Sequence, residues 1–349
     1  LTGDFMAADY KSKALQVLLS HLQDIEPYIK DDSVSEIMIN APDEIWVERC
    51  GQMEKTDLEI KEVRLQGALR ALATANNKKE VEHVMDARMP GYRIASAIHP
   101  VGVKGTAICI RKHSASARRL DDYLNEGAFV PVVMEQESSD ELDRPSEDEI
   151  AKGGDGLLAF FRWAVQARKN IIVAGATGSG KTTFMNALLS EIPNDNRVLT
   201  IEDTAELKVT VPNHVGFETL ESKGVTIRSL VRLALRFRPD RIIVGEVRGP
   251  EAYDLLDAMG TGHPGGFCSL HADDPVFALG RLETMAQMHP DAQNLPPLAL
   301  RQKISDTFHY VVYCQRRGGV RRPVELAEVL PLNSTGQYQL KTLYKVKGG

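Results

Sequence analysis

Ile171-Ile-Val-Ala174 runs directly into Gly175-Ala176-Thr177-Gly178-Ser179-Gly180-Lys181-Thr182, and from Thr183 a helical pattern continues to Leu189. The short β-branched run reads as a buried strand. The stretch is therefore a strand, a glycine-rich loop and a helix in succession, the setting in which G-x-x-x-x-G-K-[ST] cradles phosphate. Glycines let successive backbone N–H groups turn inward around the phosphates, and the following helix N-terminus adds favourable partial charge. Gly175, Ala176, Thr177, Gly178, Ser179, Gly180, Lys181, Thr182 and Thr183 are the expected nucleotide-binding residues. Lys181 is expected to reach the β- and γ-phosphates, and the Thr182 hydroxyl to sit on Mg²⁺. A strand feeding such a loop implies an α/β fold with a parallel sheet.

The neighbouring segments extend this reading. Arg241-Ile-Ile-Val-Gly245-Glu246 is a second strand whose C-terminal end carries a carboxylate, and ligands of parallel sheets bind at that end. Glu246 is expected to orient the attacking water; the alternative is a strand-end carboxylate paired with Arg248. Many phosphate-loop ATPases carry Asp here, whereas Gly245 precedes Glu246 alone. Leu199-Thr-Ile-Glu202-Asp203-Thr-Ala-Glu206 is an apolar strand ending in three acids. Gly260 to Ala272 is a glycine-rich loop bracketed by His263 and His271, read either as structural histidines or as a sensor of the γ-phosphate. Ile227 to Phe237 has an apolar stripe at helical spacing. Its Arg228, Arg232 and Arg236 form a basic face, either solvated or meeting a neighbouring subunit's acids.

Composition sets the outer limits. Of 349 residues, 43% are hydrophobic and 26% charged, the mixture of an ordinary globular protein, with about two domains. The net charge of -6 argues against nucleic-acid wrapping. Most of it resides in Glu135 to Glu149, which holds eight acids against Arg144, so the remainder is nearly neutral. That acidic run is expected to be a flexible linker. Before it, a mixed α/β region is expected, with a helix over Lys11–Ile29, strands at Glu36–Asn40 and Ile45–Glu48, a helix over Arg64–Ala75, and strands at Tyr92–Ala97 and Thr106–Arg111. Cys50, Cys109, Cys268 and Cys314 are scattered without metal-ligand spacing. No apolar run is long enough to span a bilayer. The start lacks Met, and Met6 is an alternative start, with residues 1–5 read either as a tag remnant or as part of the natural chain.

In this order the blocks resemble the secretion (traffic) ATPase family of type II and type IV secretion and type IV pili. Gly175 to Thr182 matches its Walker A loop, Ile201 to Leu207 its Asp box, Arg241 to Gly249 its Walker B and Gly262 to Ala272 its His box. Leu120-Asp-Asp-Tyr123, Ile201 to Leu207 and Arg322 to Glu328 look most like the TrbB-type ATPase of conjugative type IV secretion. A tight-adherence or type IV pilus assembly ATPase is the nearest alternative, and a RecA-like nucleic-acid translocase a more distant one. The resemblance implies a PAS-like α+β domain over residues 1–130, an acidic linker over 131–155 and a RecA-like core with a parallel sheet over 156–349. It also implies ATP and Mg²⁺ as cofactors and a homo-hexamer. That ring would be cytoplasmic and peripheral at the inner membrane, working with the machine's membrane components and without direct nucleic-acid contact. Its catalytic residues would be Glu246, Lys181, His271 and Glu202, joined by Arg93 and Arg111 reaching the phosphates from the N-terminal domain.

Overall fold

A computed structural model describes residues 2–113, 121 and 143–346. Residues 131–142 of the expected linker and nearly all of the 120–123 block lie outside the described residues. The first helical region is broken where a single helix was expected. Helix α1 (Thr2–His21) is followed by a 3₁₀ turn at Gln23–Ile25 and then by α2 (Glu26–Lys30). Pro27 has no N–H to donate, so it fits only the first turn of a new helix.

The strands that follow are β1 (Val34–Ala41), β2 (Glu44–Arg49), β3 (Gln52–Lys55), β4 (Val84–Met89), β5 (Tyr92–Ala97) and β6 (Ala107–Lys112), with α3 (Glu62–Ala75) between β3 and β4. They form an antiparallel sheet in the order β3-β2-β1-β6-β5-β4. Period-two alternation in β1 splits its side chains between two cores. Ile37 and Ile39 join Leu18, Leu65 and Leu72 of the helices, while Met38 faces the rest of the molecule beside Cys109 and Ala95.

The second region contains α4 (Glu147–Lys152), α5 (Asp155–Gln166), β7 (Ile171–Ala174), α6 (Lys181–Leu189), β8 (Val198–Glu202), β9 (His214–Glu218) and α7 (Ile227–Ala234). It continues through β10 (Arg241–Val244), α8 (Glu251–Gly260), β11 (Phe267–Leu270), α9 (Pro275–Gln287), α10 (Pro297–Thr307), β12 (Tyr310–Arg317), β13 (Val320–Leu330) and β14 (Gln339–Lys345). The sheet order is β14-β13-β12-β7-β11-β10-β8-β9. The run from β12 to β9 is parallel, and β13 and β14 return antiparallel. Ile171 and Val173 bury against α5 and α6; Ile172 and Ala174 bury on the face covered by α7–α10. A strand covered on both faces is apolar throughout, which is why β7 reads as a continuous hydrophobic run. The chain is thus a mixed α/β protein with two sheets.

The end of the expected linker is ordered. Ser146 accepts from the Glu149 N–H while the Glu149 carboxylate accepts from the Ser146 N–H, a capping box that starts α4. Ile150 is fully buried with the α5 core, so the acids at 147–149 belong to a packed helix.

The two sheets meet through α7, β9 and the N-terminal edge of the parallel strands. The guanidinium of Arg197, fully buried just before β8, donates to Phe237 O at 2.8 Å, to Asn40 Oδ1 at 2.8 Å and to Asn213 Oδ1. Asn40 Nδ2 also donates to Asn213 Oδ1 at 2.9 Å. Arg238 pairs with Glu48 of β2 and with Asp240. The Val103 N–H donates to Gly216 O at 3.0 Å. Residues more than 150 positions apart therefore share one buried polar network.

The basic face of α7 finds its acids within the chain. Arg228 and Arg232 both pair with Asp254 of α8, and Arg236 lies 3.6 Å from Asp86 of β4. Arg232 and Arg236 keep 61% and 40% of their side chains exposed, so the face is at once solvated and paired within the chain.

Candidate active site

Parallel strands bring their C-terminal ends to one edge, and here that edge gathers the site. The loop after β7, Glu202 at the end of β8, Gly245-Glu246 after β10 and His271 after β11 line one cavity of about 370 Å³. Thr177, Gly178, Lys181 and Thr182 line its loop side, and Asp203 and Arg248 its rim.

Gly180 takes φ +99° just before Lys181, a left-handed conformation that suits glycine. Lys181 is buried, and its ammonium folds back to donate to Gly175 O at 3.0 Å and Ala176 O at 3.2 Å. Burial lowers its pKa, and the Glu246 charge opposes that shift. The Ser179 hydroxyl is buried without a hydrogen-bond partner among the described residues. Thr182 is half-buried at the start of α6, and Thr183 is exposed one position on.

Glu202 is buried at 6% exposure, and its Oε1 accepts from the N–H groups of Glu206 at 3.0 Å and Leu207 at 2.9 Å. Burial raises its pKa against those hydrogen bonds. A Cβ on Gly245 would stand 2.9 Å from Glu202 Cγ. The glycine that replaces the customary Asp therefore makes room for a carboxylate from the neighbouring strand.

Glu246 accepts from Arg248 Nη2 at 2.8 Å through Oε2. His271 Nε2 lies 2.9 Å from Oε1, off the line of a good hydrogen bond, so Oε1 remains a buried acceptor without a donor among the described residues. Burial pushes the Glu246 pKa up, but the Arg248 hydrogen bond and the charges of Arg248, His271 and Lys181 outweigh it and hold the carboxyl below its ordinary value. Arg248 also donates to Asp203 at 2.7 Å. Glu246 is paired with Arg248 as the alternative sequence reading had it, and it lines the cleft with Oε1 buried beside His271.

His263 and His271 sit at opposite ends of β11. His263 Nδ1 lies 2.9 Å from Pro239 O, outside the cleft, so only His271 keeps the candidacy as a γ-phosphate sensor. Arg93 and Arg111 are also placed elsewhere. They face each other across β5 and β6. Arg93 makes a two-pronged pair with Asp86 at 2.9 and 2.7 Å, and Arg111 pairs with the buried Glu36. Asp86 in turn neighbours Arg236, which precedes β10. Both arginines thus lie toward the N-terminal edge of the parallel strands, and neither lines the cleft of its own chain. Within the single chain their guanidiniums pair with carboxylates of their own sheet, away from the cleft they were expected to reach.

Two supporting residues carried no motif. Ser269 Oγ donates to Gly245 O at 2.6 Å, fixing the turn before Glu246. Glu251 Oε1 accepts from the N–H groups of Arg248 and Gly249 at 2.6 and 2.7 Å, bracing the same turn. The legible signal for Glu251 was an acid opening a helix directly after Gly249-Pro250.

A nucleotide with a divalent ion fits this donor set. The volume is in the range of small-ligand sites, Ser179 in the loop and Glu246 in the lining each hold a buried polar atom without a hydrogen-bond partner among the described residues, and the Thr182 hydroxyl with nearby carboxylates offers hard oxygen donors suited to Mg²⁺.

Comparison with known proteins settles the family. The model of the type II/IV secretion system protein family matches residues 19–316, most of the chain. The chain belongs to this family. It is 36% identical over 316 residues to the type IV secretion system protein PtlH homolog of Bordetella bronchiseptica, covering 86% of this chain and 90% of that one. It is 34% identical over 326 residues to the type IV secretion system protein VirB11 of Brucella suis, covering 89% of each. The crystal structure of the VirB11 ATPase from the Brucella suis type IV secretion system, in complex with sulphate, superposes with a TM-score of 0.80 at 32% identity, covering 92% of this chain and 96% of that one. The protein is a secretion ATPase, and these relatives carry the PtlH and VirB11 names rather than that of TrbB. Among the described residues, no helix is long and apolar enough to cross a membrane.

Proposed function

We propose that the chain hydrolyses ATP with Mg²⁺ as one subunit of a homo-hexameric ring that drives a type IV secretion machine, in conjugative transfer or pilus biogenesis. The ring would work at the cytoplasmic face of the inner membrane, against the machine's membrane components. In this reading residues 156–349 form the RecA-like core, residues 1–130 a PAS-like domain, and part of 131–155 the connection between them.

The observation that carries the proposal is the convergence of the phosphate loop, Glu202, Glu246 and His271 at one sheet edge. Phosphoryl transfer to water demands positioning and charge stabilisation rather than covalent chemistry. The loop amides and the α6 N-terminus hold the phosphates. Lys181 exchanges its two carbonyl partners for phosphate oxygens, which relieves the burial that depresses its pKa. Glu246, kept ionised by Arg248, His271 and Lys181, presents Oε1 to orient the attacking water. Thr182 would hold Mg²⁺, with Glu202 supplying the second carboxylate of the cleft; the bound ion would neutralise charge on the transferring group. Lys181 and Arg248 line the cleft and bring positive charge to it.

The test is Glu246→Gln. Removing the carboxylate while keeping its shape is expected to leave ATP affinity within ~3-fold and to lower turnover by ~10²-fold or more. Near-normal turnover in this variant would sink the assignment.

A further inference from the structure

The hairpin between β12 and β13 projects beyond the sheet beside the phosphate loop. β12 pairs with β7 only as far as Tyr313↔Ala174. Cys314 to Arg317 continue with β13 as their ladder partner, through Gln315↔Arg322, Arg316↔Arg321 and Arg317↔Val320. At roughly 3.3 Å per residue the tip stands about 13 Å past the end of β7. Gly318 and Gly319, with φ +57° and +80°, close the turn.

Residues directly opposite in an antiparallel ladder share a face, so Arg316 and Arg321 stand side by side. Their face is that of Cys314, which packs with α5 and α6. The contact with the loop is direct: a Cβ on Gly180 would meet Arg321 Cβ at 2.8 Å and Cδ at 3.4 Å. The opposite face carries Arg317, which donates to Gln315 at 2.7 Å, and Arg322.

Arg316, Arg317, Arg321 and Arg322 are all exposed, and among the described residues none forms an ion pair with a carboxylate. Arg144, Arg228, Arg238, Arg248 and Arg301 of the same region, by contrast, have acidic partners. Like charges directly across a ladder destabilise it, and the Arg316–Arg321 pair carries that cost with no acid paired to it among the described residues.

The geometry of the cleft supplies the missing anion. Glu246 and His271 mark where the terminal phosphate lies, on the β10 and β11 side of the loop. A nucleotide threaded through the loop from that end must bring its α-phosphate and nucleoside out on the other side of β7, and the strand there is β12. We infer that Arg316 and Arg321 form the subsite for the nucleoside-monophosphate end of the bound nucleotide, giving charge to the α-phosphate and a guanidinium plane to the base. A guanidinium suits both tasks, since it pairs with phosphate in a fork and stacks on a ring. This inference rests on the loop being the phosphate site.

The test is calorimetric titration of the full chain with ATP and with inorganic tripolyphosphate, each with Mg²⁺. Tripolyphosphate fills the loop but has no nucleoside. The double variant Arg316→Ala/Arg321→Ala is expected to weaken ATP by ~10- to 50-fold and tripolyphosphate, whose third phosphate keeps the charge contact but brings no base, by only ~2- to 5-fold. Lysine at both positions should restore part of the loss, keeping charge without the planar face. The opposite-face variant Arg317→Ala/Arg322→Ala should change neither ligand beyond ~2-fold. Unchanged ATP affinity in the first variant, or equal weakening of both ligands, would overturn the subsite, as would an equal effect from the opposite-face variant. Wild-type protein that binds neither ligand would overturn the phosphate-site reading itself, a result distinct from loss of the nucleoside contact alone.

Discussion

The two edges of the parallel sheet are built by different rules. At the C-terminal edge, each functional group follows its strand within a few residues, and the loop, Glu202, Glu246 and His271 meet because the strands are parallel. At the N-terminal edge, Arg197, Asn213 and Arg238 meet Asn40 and Glu48 of a different sheet, across separations of more than 150 residues. One edge is set by local sequence, the other by how two layers dock. The difference predicts that variants at the two edges fail in separable ways.

The largest effect is expected at the docking edge. Arg197→Ala removes a fully buried guanidinium and leaves Asn40, Asn213 and the Phe237 carbonyl short of a donor. The lost charge-assisted bonds and the cavity together are expected to cost about 3 kcal/mol or more. Thermal or denaturant unfolding would read this loss, and ATP affinity of the folded fraction should stay within ~2-fold. Lys181→Ala is the mirror case. It should weaken ATP by ~30-fold, about 2 kcal/mol of charge-assisted bonding, with little change in melting temperature. If Arg197→Ala weakened ATP as much as Lys181→Ala does, the two edges would not be independent.

The same contrast explains what could be read from sequence. The phosphate loop was legible because strand, glycines, lysine and helix are contiguous, so one window holds the whole cause. Glu246 was legible as a strand-end carboxylate. Gly245 was noticed only as a departure, and its reason lies on β8, where Glu202 needs the space a side chain would fill. Strand β4 was missed although Met85, Ala87 and Met89 alternate with polar residues, because it lacks β-branched density beyond Val84. Polar β3 at the sheet edge carried still less signal. The Arg197 network had no local signature, since its partners are adjacent only after the sheets dock.

A smaller effect sharpens the packing at the C-terminal edge. Gly245→Ala drives a Cβ into Glu202 Cγ, a carbon held by the two N–H bonds to its own carboxylate. Displacing Glu202 should lower turnover about tenfold, roughly 1.4 kcal/mol of barrier, while ATP still binds. Turnover equal to wild type would show that Glu202 is dispensable where it stands.

The docking edge also carries a pH signature. His214 on β9 lies with Nε2 2.9 Å from Thr200 Oγ1, and burial, with the charges of Lys104 and Arg197, lowers its pKa from 6.5 to about 3. The folded state therefore keeps the ring neutral while the unfolded chain protonates it. Its contribution is fully present above about pH 6.5 and is lost as pH falls toward 3. Between about pH 6 and pH 4 the loss approaches ~1.4 kcal/mol per pH unit at its steepest. His214→Asn should flatten that part of the stability–pH curve; an unchanged slope would show that the ring titrates normally.

The smallest stability effect separates the docked chain from the resemblance that led to it. Arg93 and Asp86 are partly exposed, at 23% and 37% of their side chains, and the pair lowers the Asp86 pKa chiefly through the Arg93 hydrogen bonds. A pair so placed contributes about 0.5–1 kcal/mol, so Arg93→Ala should lower the melting temperature by only a few degrees and leave the ATP affinity of a monomer unchanged. A phosphate-reaching arginine would behave differently, because its loss costs ~10³-fold in rate. The assembled ring decides between them. Turnover that stays within ~3-fold of wild type would leave Arg93 as a sheet-bound ion pair. A collapse of ring turnover, with monomer affinity intact, would mean that Asp86 releases the guanidinium to a cleft other than its own chain's.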